Sequence, residues 1–400
     1  MDKKPEKLVP EVRFKGFTDD WEQHKLGETL TGFEYGLNTP ATDYDGINKY
    51  LRITDIDDVS HKFDISHLTS PKLKDDNYLL ANGDILFART GASVGKSYRY
   101  SNIDGKVYYA GFLIKAHIKD HFSTNFIFDT TLLPRYHYFV QVTSMRSGQP
   151  GINAKEYQKY IIYTPSESEQ NKISDLILTI QKLIDLQQRK LKQLERLKTA
   201  MLQQLLANQR FPKVRFNDFK DSWKDYRLGE VFDEFSVKSK RENEYKLLSS
   251  TTSGMESRSG RVSGHSNIGY KVIDNGDIVL SPQNLWLGNI NLNNMGKGIV
   301  SPSYHTFKIV NANPIFVNFQ LKTEKMLFEY KMVSVQGASV VRRNLDMDAF
   351  KKIVIKIPNE KEQIKIASLF SSISNIINNH QNKLTQLSTL KKYLLQKMFI

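Results

Sequence analysis

Four hundred residues, 40% of them hydrophobic and 25% charged, are too many for one compact core and enough for two, which also argues against disorder throughout. The absence of cysteine excludes a disulfide framework, a thiolate zinc site and a cysteine nucleophile. Lys and Arg number 57 against 43 Asp and Glu, and the resulting +14 points to a polyanionic partner, nucleic acid first among them. No apolar run approaches the roughly 20 residues of a membrane span. The opening MDKKPEKLVPEVRF holds no signal-peptide core, so a cytoplasmic chain without membrane contact is expected.

In chain order, the segment PEVRFKGFTDDWEQHKLGE (10–28) comes first, and it recurs as PKVRFNDFKDSWKDYRLGE (212–230). Ten of nineteen positions coincide at an offset of 202, among them Arg13/Arg215, Phe14/Phe216, Phe17/Phe219 and Trp21/Trp223. Next come KYLRITDI (49–56) and GDILFAR (83–89), runs of β-formers between Gly, Asn and Pro. The NGDI at 82–85 recurs at 275–278, now 193 residues on, so the first copy carries nine extra residues between Gly27 and Asn82. GASVGKS (91–97) has the look of a phosphate loop. Only three residues separate its first glycine from Gly-Lys-Ser where four are needed, and a strand-like SYRYSN follows instead of a helix. The stretches 122–141 and 313–332 read as helix, and KYIIYTP (159–165), GDIVLSP (276–282) and KKIVIKIP (351–358) as strands.

Each copy ends in a long helix. PSESEQNKI (165–173) and PNEKEQIKI (358–366), again 193 apart, carry the Ser or Asn and then acidic residues of a helix start. Ile173, Ile177, Ile180, Ile184, Leu191, Leu194, Met201 and Leu205 step alternately by four and three, broken only at Gln187 and Lys198. Ile366, Phe370, Ile373, Ile377, Leu384, Leu387, Leu394 and Met398 repeat the ladder, broken at the same two rungs by His380 and Lys391. A 3.5-residue period sustained this long is a coiled-coil seam, so the two helices are predicted to pair. At 1.5 Å per residue each is about 60 Å long. Gln187 and His380 read either as a polar pair near the rim or as a layer that fixes register. The expected fold is of mixed α/β (α+β) class, a pseudo-two-fold tandem repeat. It comprises a domain at 1–165, a helix at 166–207, a second domain at 208–358 and a C-terminal helix at 359–400.

Catalytic motifs are not evident. The nine histidines are scattered, and His61 and His67 are six apart, not at the i, i+4 spacing of a helical zinc pair. Neither a Gly-x-Ser-x-Gly elbow, nor a glycine loop for S-adenosylmethionine, nor an Asn/Asp-Pro-Pro-aromatic methylation motif occurs. No catalytic residue and no metal site is expected.

Two variable α/β domains, each followed by a similar long helix, with a repeated VRFxxFxxxWxxxxLGE opening and a P-x-E-x-E-Q helix start, resemble the specificity subunit of type I restriction-modification systems. The likeness covers essentially the whole chain. It implies that each domain is a target-recognition domain reading one half of a split sequence in double-stranded DNA. It implies further that the helices act as a spacer and dock two methyltransferase subunits, and that motor-nuclease restriction subunits join them. S-adenosylmethionine, ATP and Mg²⁺ would belong to those partners, and this chain would be non-catalytic. A rod between two heads would set the gap between half-sites, with one duplex turn of about 34–36 Å as the natural separation. The alternative is a two-headed coiled-coil adaptor that binds proteins, its charge serving solubility.

Two polar loops in each copy are the candidate readers. The loop after NGDI offers Arg89, Thr90, Ser93 and Lys96 in the first copy, and Ser281, Gln283, Asn284 and Asn289 in the second. The later loop offers Arg146, Ser147, Gln149 and Asn153, then Ser334, Gln336, Arg342, Arg343 and Asn344. Arginine suits the O6/N7 edge of guanine, and Asn and Gln suit adenine; plain turn chemistry is the competing explanation. The repeated Trp21 and Trp223 are expected to be packing anchors, because sameness suits a scaffold. Residues 1–165 hold 21 basic and 21 acidic side chains, whereas 208–358 hold 23 and 15. The second domain is therefore predicted to supply more of the sequence-independent grip.

Overall fold

The structure is a computed structural model that describes residues 8–145, 148–258, 266–336 and 343–400. It divides into two compact units, residues 1–187 with 383–400 and residues 188–382, so that each long helix contributes to both.

The first unit contains β1 (Glu22–Lys25), β2 (Leu30–Tyr35), β3 (Ala41–Asp43), β4 (Lys49–Leu51), β5 (Thr69–Pro71), β6 (Asp84–Ala88), β7 (Ser97–Arg99), β8 (Val107–Tyr109) and β9 (Leu113–Ile118). Helices α1 (Thr124–Thr130), α2 (Pro134–Ser144) and α3 (Ala154–Tyr157) follow, then β10 (Ile161–Thr164) and the long α4 (Glu167–Leu205). Its main sheet has the order β2-β9-β6-β7, all antiparallel, beside the pairs β3–β5, β4–β8 and β1–β10. Every residue of β6 is buried, for a physical reason. Ile85 and Phe87 point into one core and Leu86 and Ala88 into another, so a strand covered on both faces reads as an unbroken apolar run. The predicted strand at 49–56 is shorter than expected, because Ile53–Asp55 turn into a 3-10 helix. The predicted helix at 122–141 is two helices, broken before Pro134, which begins α2.

The second unit repeats the plan with β11 (Lys224–Arg227), α5 (Leu228–Val231), β12 (Phe232–Phe235), β13 (Lys246–Ser250), β14 (Met255–Ser257), β15 (Lys271–Ile273), β16 (Ile278–Leu280), β17 (Ile290–Leu292), β18 (Gly298–Val300) and β19 (His305–Ile309). Then come α6 (Pro314–Gln320), α7 (Glu324–Met332), β20 (Ser334–Gln336), β21 (Arg343–Leu345), α8 (Met347–Lys352), β22 (Val354–Ile357) and α9 (Glu360–Lys397). The sheet β12-β19-β16-β17 matches the main sheet of the first unit, and β14-β13-β18-β15 forms another.

In both units the strand after the duplicated tryptophan pairs antiparallel with the strand before the long helix, β1 with β10 and β11 with β22. This closes each domain on itself and lays the repeated VRF segment against the helix start. Arg13 donates two hydrogen bonds to Glu169, of 2.7 and 2.8 Å, and Arg215 donates two to Glu362, of 2.6 and 2.7 Å. The adjacent Gln170 accepts from the Ser123 backbone N–H and donates to the Pro165 carbonyl, while Gln363 does the same with Asn313 and Pro358. Trp21 meets Phe126 edge-on at 5.6 Å, and Trp223 meets Phe316 at 5.8 Å. The repeated motif is therefore one clamp, built twice.

Helix pairing is antiparallel within each unit. In the first, Ile173, Ile177, Ile180 and Ile184 of the first half of α4 share a core with Leu394 of α9 and Met398 just beyond it, and Leu384 and Leu387 pack on it. In the second, Ile366, Phe370 and Ile373 share a core with Leu205, with Met201 and Ile377 packed against it. Leu191 and Leu194 are half-buried and belong to neither core. Gln187 is buried and His380 half-buried. At the other interruption, Lys391 donates to Gln181 at 2.8 Å and lies near Asp129, whose carboxyl burial pushes up to about 7 while Lys391 and Arg99 pull it down.

Candidate functional site

In the first unit the residues after β6 form a tight hairpin into β7, with Ala88 N–H donating to the Lys96 carbonyl at 2.8 Å and Gly95 N–H to the Ala88 carbonyl at 3.0 Å. Gly95 has a φ of +85°, and a Cβ there would lie 2.4 Å from Val140 of α2, so no other residue fits. Beside it runs the later loop. Ile152 N–H donates to the Arg89 carbonyl at 2.9 Å and Gly91 N–H to the Pro150 carbonyl at 3.0 Å. The two loops singled out separately in the sequence thus form one surface.

Arg89 is half-buried, with its guanidinium 4.8 Å from the centre of the Tyr35 ring. Its backbone N–H donates to the Phe112 carbonyl at 3.0 Å. These three residues line a concavity of about 700 Å³, together with Asn38, Arg52 and Thr54. Phe112 is 59% exposed and Tyr35 44%, so both rings are open to a ligand entering the concavity. Thr90 and Ser93 are half-buried and Gln149 exposed on the same surface.

Two expected readers have other work. Lys96 is 2.6 Å from the Asp58 carboxylate and also donates to the Ile56 carbonyl, so its ammonium is neutralised within the unit. Asn153 caps α3, its side-chain oxygen accepting from Glu156 N–H at 3.0 Å. Arg146 and Ser147 lie outside the described residues.

In the second unit Gln283, exposed after β16, accepts the Arg343 N–H at 3.2 Å through its carbonyl, which joins this loop to the β20–β21 hairpin. Arg343 lies with its guanidinium 5.1 Å from the Trp286 ring centre and donates to the Ser334 carbonyl. Asn344 is exposed and Asn284 half-buried in the turn. Gln336 ends β20, and Arg342 lies outside the described residues. Ser281 and Ser334 are buried, and Ser334 is bonded to the Tyr330 carbonyl. Asn289 departs from the expected reading role. It is buried, donating to the Ser250 carbonyl at 3.0 Å and accepting from the Ser250 hydroxyl at 2.6 Å. A side chain so engaged and buried shapes the loop from beneath and does not present its amide to a base.

Each unit therefore sets an arginine against an aromatic ring beside the loop after its NGDI strand, and that loop supplies the arginine in one unit and the ring in the other. In the first the arginine follows β6 and the ring comes from β2; in the second the ring follows β16 and the arginine begins β21. Sequence reasoning missed Tyr35, Phe112 and Trp286. For Trp286 there was a signal, since it is the one tryptophan of three that lies outside the duplicated segment. Among the described residues no cluster of three or more His, Asp and Glu is placed to hold a metal ion, and no helix is long and apolar enough to cross a membrane.

The sequence matches the family model of the type I restriction modification DNA specificity domain over residues 19–196 and again over 220–389. The fold is similar to the S subunit of a type I restriction-modification system from M. genitalium, with a TM-score of 0.63 at 11% identity over 98% of this chain and 99% of that one. It is also similar to a chain from a structure describing complex assembly and conformational transition of the type I R-M system, with a TM-score of 0.51 at 15% identity over 98% and 99%.

Proposed function

The chain belongs to the type I restriction-modification DNA specificity family, and from this premise we propose that its two units read the two halves of one bipartite duplex target. The observation that carries the reading is the duplicated domain whose paired loops differ, each with its own arginine–aromatic site. Scaffold residues are repeated and readers are not, as expected if one frame presents two unlike sequences. Arg89 and Arg343 would donate to guanine edges, each guanidinium held in plane by the ring beneath it. Gln149, Gln283 and Asn344 are exposed amides suited to adenine or phosphate. The long helices would set half-site spacing and dock two methyltransferase subunits, with restriction subunits joining them. S-adenosylmethionine, ATP and Mg²⁺ would act in those partners, in the cytoplasm.

On this reading the chain directs chemistry without performing it. Purified free of partners and incubated with target DNA, S-adenosylmethionine, ATP and Mg²⁺, it is expected to transfer no methyl group and cut no strand; turnover that tracks with the pure chain would overturn this.

The charge asymmetry supports a second expectation. On duplexes that carry only one half-site, log affinity against log salt is expected to fall more steeply for the half-site of the second unit, by roughly 0.9 for each additional phosphate contact. Arg89→Ala and Arg343→Ala should each relax discrimination at one base by about 1–3 kcal/mol. Equal slopes would remove the asymmetry, and unchanged base preference in both variants would remove the reader assignment.

A further inference from the structure

The two units treat one helix position differently. Helices α1 and α6 occupy equivalent places, since Phe126 and Phe316 pack edge-on against the equivalent Trp21 and Trp223. The offset of 190 that relates these phenylalanines carries Asp129 onto Phe319. The long helices carry Lys391 and Lys198 at one shared rung of the ladder. In the first unit Lys391 has the Asp129 carboxyl near it. In the second, Lys198 has a phenyl ring instead, its ammonium 5.7 Å from the centre of Phe319.

A second amine makes the imbalance larger. Lys322, just beyond α6, is half-buried and donates to the Asn291 side-chain oxygen. Burial pushes its ammonium down to about 8, and the charge of Lys198 pushes the same way. Burial lowers Lys198 too, and Glu195, one turn back on α4, only partly offsets this. No carboxylate among the described residues forms an ion pair with either lysine. Two desolvated like charges are a cost that Glu195, the Phe319 ring and Asn291 offset only in part, and an arriving anion removes it.

We propose that Lys198 and Lys322 form a receptor for a carboxylate side chain of the docking methyltransferase subunit, which supplies the carboxyl group that the first unit carries internally at Asp129. This rests on the docking role proposed above for the long helices. A partner carboxylate is favoured over a DNA phosphate by position. Lys198 stands on the long helix, and between Lys322 and the reading loop lies a buried layer in which Asn291 donates to Ser250 at 2.7 Å and Ser250 to Asn289 at 2.6 Å. A phosphate held at Gln283 or Arg343 is outside that layer.

The test uses the full chain, the purified methyltransferase subunit and two variants, Lys322→Gln and Lys198→Glu. The first removes one amine; the second gives Lys322 a partner inside the unit. Lys322→Gln is expected to leave the melting temperature of the chain alone unchanged or raised, to weaken assembly about tenfold or more, and to flatten its salt dependence. Lys198→Glu is expected to raise the melting temperature and to weaken assembly at least as much. Unchanged assembly in both variants, or a lowered melting temperature in Lys322→Gln, overturns the proposal. So does lost DNA affinity with assembly intact, which would make the site a phosphate contact. A wild-type chain that does not assemble at all would instead overturn the docking reading on which the proposal rests.

Discussion

Arg13→Ala is expected to destabilise the first unit by about 3–5 kcal/mol, the range for breaking a buried ion pair from one side. The Glu169 side chain is 0% exposed and both its oxygens accept from Arg13, so removing the arginine strands a carboxylate that water cannot reach. Glu169→Ala should cost less, because the arginine left behind is 13% exposed and can turn toward solvent. The double variant should cost less than the sum, since the second substitution removes the charge that the first one stranded. Arg215 and Glu362 should repeat the pattern in the second unit, where the same two bonds are made. Urea midpoints of the four single variants and two doubles check the order, and hydrogen exchange in β1, β10 and the first turn of α4 checks the location. An Arg13→Ala cost under about 1 kcal/mol, or one smaller than that of Glu169→Ala, would mean that the clamp is ornamental.

That clamp shows what a sequence discloses and what it withholds. The duplication of Arg13 and of Glu169 was legible as repeated letters, and the helix start was legible from its proline and acidic residues. Their bond was not, because the partners are 156 residues apart and only the β1–β10 pairing brings them together. The ladder announced two paired helices through its period alone, which is a local property. Its division between two cores, leaving Leu191 and Leu194 half-buried, depends on what each domain packs against the helix. The candidate site was half legible. Glycine-rich polar loops after NGDI stood out, yet Asn284 and Asn289 differ only in which faces solvent and which meets Ser250. Lys96 sits in such a loop, but Asp58, 38 positions earlier in the chain, holds its ammonium. Tyr35 ends β2 and Phe112 lies in the turn before β9, and neither is a polar loop residue of the kind sought.

Ile184→Asp is expected to unfold the helix-facing core of the first unit and to abolish assembly with partner subunits. Ile184 is 7% exposed, in one core with Ile180 and Leu394 and with Leu387 packed on it, and the nearby Lys391 is already bonded to Gln181. Losing the isoleucine alone costs about 2–5 kcal/mol by the usual large-to-small range, and an unpaired buried charge adds several more, together comparable to the whole stability of a domain. The neighbouring Leu183 is the control. It is 41% exposed on the same helix, so Leu183→Asp keeps the helix and its charge in water and should change stability by no more than about 0.5 kcal/mol. Leu191→Asp should fall between the two, since that side chain is half-buried and outside both cores. The same contrast is expected in the second unit for Phe370→Asp, because Phe370 is fully enclosed and packs on Phe319 at 5.1 Å between ring centres. Circular dichroism melts and sedimentation of each variant with and without the methyltransferase subunit read the result. If Ile184→Asp and Leu183→Asp behave alike, the seam does not hold the helices together; if Ile184→Asp folds but fails to assemble, the seam is a partner surface and not an internal one.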